Sequence, residues 1–101
     1  MRHEGYFKLR GEDFFERRWE PLGEVRAHLV LVHGYGEHCA RYEHVGNAFN
    51  AAGIVVHSFD QRGFGRSPGK RAYIQRFDTL LDDMDAYLEH VRPRFGNTPW
   101  F

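Results

Sequence analysis

The sequence predicts an α/β fold in which an antiparallel hairpin precedes a strand-helix-strand crossover and a further helix. Two apolar runs, residues 27–33 and 54–59, lack polar alternation, which indicates strands covered on both faces of a parallel sheet. Between them, residues 42–52 repeat apolar side chains at helical spacing. A strand, a helix and a strand in this order form a right-handed crossover unit.

The N-terminal hairpin is predicted from two aromatic-rich runs, residues 6–10 and 14–19. Residues 11–13 between them indicate a three-residue turn. We expect the aromatic side chains of the second run, Phe14, Phe15 and Trp19, to lie in the core.

The two predicted helices each carry an apolar stripe. The first stripe consists of Val45, Ala48, Phe49 and Ala52, and Gly53 is placed to end the helix. The second helix begins at about residue 77 or 78 and ends near Val91, with Asp78 as the candidate N-cap and the acids from Asp78 to Glu89 on a solvated face. Its stripe consists of Phe77, Leu80, Leu81, Met84, Leu88 and Val91. Trp100 then opens a further strand.

Composition limits the function classes. The 101 residues suffice for one small domain, and 14 Lys plus Arg balance 14 Asp plus Glu. A neutral balance removes the argument for a nucleic-acid partner, so we expect none. The single cysteine, Cys39, cannot form an intrachain disulfide and fits a reducing compartment. No secretory signal and no apolar run of roughly 20 residues occurs, so we predict a cytoplasmic protein and leave open peripheral contact with membranes or lipid droplets.

The sharpest motif is His33-Gly34-Tyr35-Gly36-Glu37-His38, which follows a predicted buried strand and precedes a helix. Its two glycines allow a tight turn that approaches a ligand closely. Such a turn can aim a backbone N–H at the oxygen that gains negative charge during acyl transfer, where each donor contributes roughly 3–4 kcal/mol. A plain strand-to-helix turn explains the same residues, so both interpretations stay open on the local sequence.

A second motif makes a family resemblance specific. Residues 33–42 resemble the His-Gly-x-Gly-Glu-His...Arg-Tyr motif of the monoacylglycerol lipase and lysophospholipase group of α/β-hydrolase fold serine hydrolases. Residues 60–67 resemble that group's Asp-x-x-Gly-x-Gly-x-Ser loop after the fourth strand. The resemblance extends from about Phe14 to the last residue.

The resemblance implies roles for the first motif. Tyr35 would donate its backbone N–H to the oxyanion hole, and His33, Gly34 and Gly36 would shape the supporting turn. In this group the strand that opens at Trp100 leads into a Gly-x-Ser-x-Gly elbow holding the nucleophile. The acid and the histidine of the triad come later, so none of the three is in this sequence.

We therefore expect residues 1–101 to be the N-terminal portion of a single α/β-hydrolase domain, truncated before the nucleophile elbow, with an incomplete sheet. The resemblance implies a parent enzyme that hydrolyses a monoacylglycerol or lysophospholipid-type acyl ester in lipid metabolism, without metal or organic cofactor. We expect the chain by itself to be inactive. The missing C-terminal part of the same hydrolase is a candidate partner.

One sequence matches the elbow pattern by letters, Gly65-Arg66-Ser67-Pro68-Gly69. Pro68 has no N–H, so the second oxyanion donor would be missing. The preceding strand is also predicted to end near Phe59, well before the serine. We predict that Ser67 is a loop residue and not the nucleophile.

Other functions remain as alternatives. Gly34 and Gly36 after a strand, with Asp60 ending the next strand, resemble a dinucleotide-binding βαβ unit, although Cys39 stands at the third glycine position. A zinc site from the histidines near Cys39 lacks a standard spacing, and nothing indicates a depressed thiol pKa that would make Cys39 a nucleophile. The candidate zinc ligands are His33, His38, Cys39 and His44. A non-catalytic truncated or binding fragment is the remaining alternative.

Overall fold

A computed structural model of the chain describes residues 1–34, 37–71, 73 and 76–101, and it confirms the α/β fold. The elements are the strands β1 (Arg2–Leu9), β2 (Glu12–Trp19), β3 (Ala27–Leu31) and β4 (Ile54–Phe59), the helices α1 (Glu43–Ala51) and α2 (Phe77–Val91), and the 3-10 turns Cys39–Tyr42 and Arg92–Arg94. The four strands form one mixed sheet in the order β1-β2-β4-β3. The pairs β1-β2 and β2-β4 are antiparallel, and β3-β4 is parallel.

The hairpin differs from its prediction in the turn. Leu9 pairs with Glu12, so the turn has two residues, Arg10 and Gly11, and the expected three-residue turn at 11–13 is wrong. Both turn residues have positive φ, 47° and 83°. Two-residue hairpin turns need this left-handed backbone because it matches the twist of the strands, and Gly11 adopts it without steric cost.

The parallel pair β3-β4 is confirmed, and its free side is already occupied. β3 ends at Leu31, two residues earlier than predicted, and its residue His28 bridges Trp100 in parallel. The His28 N–H donates to the Pro99 carbonyl at 2.9 Å, and the Phe101 N–H donates to the His28 carbonyl at 2.9 Å. The last residues therefore open a further strand beside β3, as the sequence predicted.

Helix α1 packs on the face of the sheet that carries Trp19. The residue of α1 buried against the sheet is Gly46, and a Cβ there would lie 2.4 Å from Cγ of Trp19. The predicted stripe was wrong for this helix, because Ala48 and Phe49 are exposed. The indole ring fills the space that the stripe residues were expected to fill.

Helix α2 packs on the opposite face with a stripe that agrees with the predicted one only in part, because Val91 is in the core and Met84 packs against it. Its buried residues are Asp83, Tyr87 and Val91, whereas Phe77 is 60% and Leu81 45% exposed. The core on this side consists of Phe7, Leu9, Phe14, Phe59, Tyr87, Val91 and Phe95. The predicted stripe residues Met84 and Leu88 also line an apolar cleft of about 250 Å³, together with Val30, Val32, Phe59, Tyr87, Trp100 and Phe101.

Two predictions about the acids of α2 were also wrong. The N-cap is Arg76, so Asp78 lies inside the first turn, where the helix dipole still favours its charge. Asp83 is not solvated: it is 1% exposed and accepts hydrogen bonds from Arg62 Nε at 3.2 Å and from Arg10. In the described part of the chain, no helix has the length and apolar character needed to cross a membrane.

Candidate functional site

The segment after β3 begins with a histidine whose two ring nitrogens are both occupied. His33 is buried, and its Nε2 accepts the Gln61 N–H at 2.9 Å. Its Nδ1 lies 2.8 Å from the Gly34 carbonyl oxygen. Because one nitrogen faces a donor and the other an acceptor, the ring is neutral with its proton on Nδ1.

Gly34 and Glu37 are joined by two hydrogen bonds. The Gly34 N–H donates to Oε1 of Glu37 at 2.9 Å, and the Glu37 N–H donates to the Gly34 carbonyl at 3.1 Å. The Tyr42 hydroxyl donates to the same Oε1, and the Arg41 Nε lies 3.9 Å from Oε2. The hydrogen bonds from Tyr42 and Gly34 lower the pKa of Glu37, since both favour the charged carboxylate.

These contacts explain the spacing of the first motif. The predicted oxyanion donor Tyr35 and the supporting Gly36 lie outside the described residues. Of the four predicted site residues, the structure places His33 and Gly34 together at the end of β3. A Cβ at Gly34 would lie 2.9 Å from Oε1 of Glu37, so a larger residue there would require the Glu37 carboxylate to shift.

The loop after β4 begins with Asp60, whose buried carboxylate joins two loops. Oδ1 accepts the Cys39 N–H at 2.7 Å, and Oδ2 accepts the Arg66 N–H at 2.9 Å. Gly65 has φ +53°, and a Cβ there would lie 2.2 Å from Oδ2. A carboxylate used in this way does not project toward a ribose, which argues against the dinucleotide alternative.

Ser67 has a structural role in this loop. The residue is 3% exposed, and its hydroxyl oxygen accepts the Phe15 N–H of β2 at 3.0 Å. The next residue is Pro68, whose carbonyl accepts the Gly63 N–H at 2.8 Å. A buried hydroxyl fixed to a neighbouring strand is not presented to a substrate, in agreement with its interpretation as a loop serine.

Cys39 and the nearby histidines do not form a reactive or metal-binding site. Burial raises the pKa of the Cys39 thiol, and the adjacent Asp60 carboxylate raises it further. A thiol in this environment remains protonated and is a poor nucleophile. Within the described residues, no group of three or more His, Cys, Asp or Glu side chains could hold a metal ion.

Sequence reasoning missed a buried histidine pair on β3 and β4. His28 Nδ1 lies 2.9 Å from His57 Nε2, and the ring of Phe95 lies 4.9 Å from that of His28. Burial lowers the pKa of both histidines, to about 3 for His57. The only available signal was their position inside apolar strands, where a side chain must face one of two covered layers.

An ion pair between Glu16 of β2 and Arg94 lies near the C-terminal end of α2. Arg94 donates from its two terminal nitrogens to the two carboxylate oxygens of Glu16, each at 3.0 Å, and His90 Nε2 lies 3.1 Å from Oε2. Burial acts to raise the pKa of Glu16, but the hydrogen bonds from Arg94 and His90 leave it below its ordinary value. These groups stabilise the packing of α2 and lie apart from the loops that carry the motifs.

The family model described as serine aminopeptidase S33 matches residues 23–101, which include both motif loops, β3, α1, β4 and α2. The chain belongs to the S33 family of α/β hydrolases. Membership of the S33 family agrees with the monoacylglycerol lipase-like resemblance of the two motifs.

Relatives of this S33 chain include enzymes named as lipases. It is 45% identical over 65 residues to the monoacylglycerol lipase of Mycolicibacterium smegmatis, covering 64% of this chain and 23% of that protein. It is 29% identical over 91 residues to the monoglyceride lipase of Mus musculus, covering 90% of this chain and 30% of that protein. The chain thus spans less than a third of the length of these relatives.

The chain covers a larger share of one further relative. The chain is 36% identical over 61 residues to Protein K6 of vaccinia virus, covering 60% of this chain but 75% of that protein. Protein K6 is therefore itself a short chain.

Solved structures agree with the S33 assignment. A thermostable carboxyl esterase from Bacillus coagulans, in complex with glycerol, superposes with a TM-score of 0.83 at 26% identity, covering 99% of this chain and 34% of that chain. A monoglyceride lipase from Saccharomyces cerevisiae superposes with a TM-score of 0.79 at 23% identity, covering 89% and 31% respectively. The second likeness concerns the fold alone.

Proposed function

We propose that this chain supplies the first oxyanion-hole donor, the Tyr35 backbone N–H, to a serine ester hydrolase. The substrate class is a monoacylglycerol or a related lysophospholipid-type acyl ester, and peripheral contact with membranes or lipid droplets would give access to it. The nucleophile, acid and base come from outside these 101 residues. The chain by itself does not turn over esters.

The observation that carries the proposal is the pair of hydrogen bonds between Gly34 and Glu37, the described residues that precede and follow Tyr35 and Gly36 in the sequence. Tyr42 and Arg41 hold Glu37 in place. A donor that is in place before the reaction stabilises a developing oxyanion without reorganisation during the step, and fixed flanking residues favour such a donor. The names of the lipase relatives support the substrate class, and the buried Ser67 and Cys39 support the absence of a nucleophile.

A graft tests the donor. Residues 23–101 replace the corresponding segment of the Mycolicibacterium smegmatis monoacylglycerol lipase, and monoacylglycerol hydrolysis is measured. Tyr35→Pro removes the N–H, and we expect kcat to fall about 100- to 1000-fold. Tyr35→Phe keeps the N–H and serves as the matched control. Equal activity of both variants would refute the donor role.

The isolated chain is tested separately with a short p-nitrophenyl ester. We expect no turnover above the uncatalysed rate. Turnover that Ser67→Ala abolishes would identify a nucleophile within these residues. An amino-acid p-nitroanilide, assayed with the active graft, decides between the ester preference that we propose and the aminopeptidase activity in the family description.

A non-catalytic role is the second candidate, and the coverage of Protein K6 favours it. Under this alternative, the short chain is itself the working product and acts as a binding fragment. A graft that folds but hydrolyses no monoacylglycerol would favour this role over the hydrolase.

A further inference from the structure

We infer that Asp60 and Gln61 are positioning residues that hold the two described ends of the oxyanion segment, residues 33–34 and 37–39. The inference rests on the proposed function, because it gives these two residues a part in presenting the Tyr35 amide. Both follow β4 directly and are buried, at 2% and 7% exposure.

Gln61 holds the first end of the oxyanion segment. Its backbone N–H donates to the ring of His33 at 2.9 Å, and its side-chain amide donates to the His33 carbonyl at 2.7 Å. That carbonyl and the Gly34 N–H belong to one planar peptide unit. Since the Gly34 N–H donates to Glu37, the peptide plane is fixed from both sides.

Asp60 holds the second end. Its Oδ1 accepts the Cys39 N–H at 2.7 Å inside the protein, and its Oδ2 accepts the Arg66 N–H at 2.9 Å. Hydrogen bonds from backbone N–H groups to a carboxylate are stronger than those between neutral groups. The same side chain therefore ties the oxyanion segment to the loop after β4.

That loop is anchored to the sheet. The Asp60 N–H donates to the Phe15 carbonyl at 2.9 Å, and the Phe15 N–H donates to the Ser67 hydroxyl at 3.0 Å. Arg71 donates to the carbonyls of Gly65 and Ser67 within the loop. Moving Asp60 or Gln61 would therefore require breaking the hydrogen bonds between this loop and Phe15 of β2.

The test uses two variants of the 101-residue chain and amide exchange measured by ¹⁵N NMR. Gln61→Leu removes the side-chain donor to the His33 carbonyl and keeps the backbone donor to the ring, and we expect exchange at Gly34 and Glu37 to accelerate about tenfold. Asp60→Asn leaves one acceptor oxygen, and the acceleration is expected at Cys39 or Arg66. The amide exchange rates within β4 should change by less than twofold. The urea concentration at the midpoint of unfolding should also change by less than twofold.

Glu89→Gln, on the exposed face of α2, is the control and should change none of these rates. Unchanged exchange of the oxyanion segment in both variants would overturn the inference. Exchange accelerated equally throughout β4 would also overturn it, because the residues would then support only the fold. If Asp60→Asn does not fold, Gln61→Leu decides by itself.

Activity separates this inference from the proposed function. In the graft, Gln61→Leu should lower kcat about tenfold and leave KM within twofold, as expected for a misplaced transition-state donor. If the graft is inactive but the substitutions accelerate amide exchange as expected, only the proposed function is refuted. An active graft in which Gln61→Leu changes neither exchange nor kcat would refute only the positioning role.

Discussion

Acidification should destabilise the fold through the buried histidine pair. His57 is fully buried, its Nε2 is 2.9 Å from His28 Nδ1, and its own Nδ1 has no hydrogen-bond partner among the described residues. A proton added to the pair would place a charge in the core close to Arg94 and Arg18. Burial, followed by the charges of His28, Arg94 and Arg18, lowers the pKa of His57 to about 3.

The sign of the effect follows from the two states. Above pH 6.5, His57 is neutral in both the folded and the unfolded chain and contributes no pH dependence. Below pH 6.5 the unfolded chain binds a proton that the folded chain does not, down to about pH 3. The free energy of unfolding therefore falls with a slope that approaches about 1.4 kcal/mol per pH unit below pH 6, and the loss between pH 6.5 and 4.5 is about 2.3 kcal/mol.

This loss is large, since domains are stable by only about 5–15 kcal/mol. His28 acts in the same direction, because burial lowers its pKa too. Glu16, Glu37 and Glu43 also have lowered pKa values, so the stability that they contribute above pH 4.5 is lost as the pH falls below it. The histidines therefore dominate the upper part of the interval from pH 6.5 to 4.5, and the carboxylates contribute toward its lower end.

Urea unfolding followed by tryptophan fluorescence at pH 7.0, 6.0, 5.0 and 4.5 measures the effect. In His57→Leu, the slope of unfolding free energy against pH should be smaller by about 1.4 kcal/mol per unit. His44→Gln, at an exposed position of α1, should keep the original slope. If His57→Leu and the unsubstituted chain have the same slope, His57 is protonated in the folded state and the reasoning fails.

Two further predictions concern other buried groups. Asp83→Asn should lower the unfolding free energy by about 2 kcal/mol, less than for a fully buried pair because its partners Arg62 and Arg10 are 23% and 50% exposed, while the exposed Asp82→Asn should change it by under about 0.5 kcal/mol. Equal effects of the two substitutions in urea would contradict the burial of Asp83. Cys39 should react with iodoacetamide only as the chain unfolds, so alkylation in the absence of urea at the rate of an exposed thiol would show that it is accessible.

The order of strands and helices along the chain could be predicted because each signal is local. Flat apolar runs at β3 and β4, and the helical pattern between them, depend on residues that are close in sequence. Trp100 could be assigned to a further strand for the same reason. The two motif loops were located by the glycines that permit their turns, and the carboxylate of Glu37 lies close to Gly34.

The errors have the opposite cause. Asp83 belongs to an acidic helix face by sequence, but Arg10 and Arg62, from the hairpin turn and the loop after β4, bring it into the interior. His57 is buried because β4 is an inner strand of the sheet, and its ring partner His28 comes from the neighbouring strand β3. Partners this far apart in sequence leave no periodic signal, so only the assembled sheet identifies them.

Helix α1 lies this close to Trp19 of the sheet because Gly46 has a hydrogen atom in place of a side chain. Any side chain at position 46 would place its Cβ within 2.4 Å of the indole ring, so α1 would have to move outward. Because α1 directly follows the 3-10 turn Cys39–Tyr42, such a shift would be transmitted to the loop ahead of it. The two positions should therefore vary together among homologues, with a larger residue at 46 tolerated only where a smaller ring replaces the tryptophan.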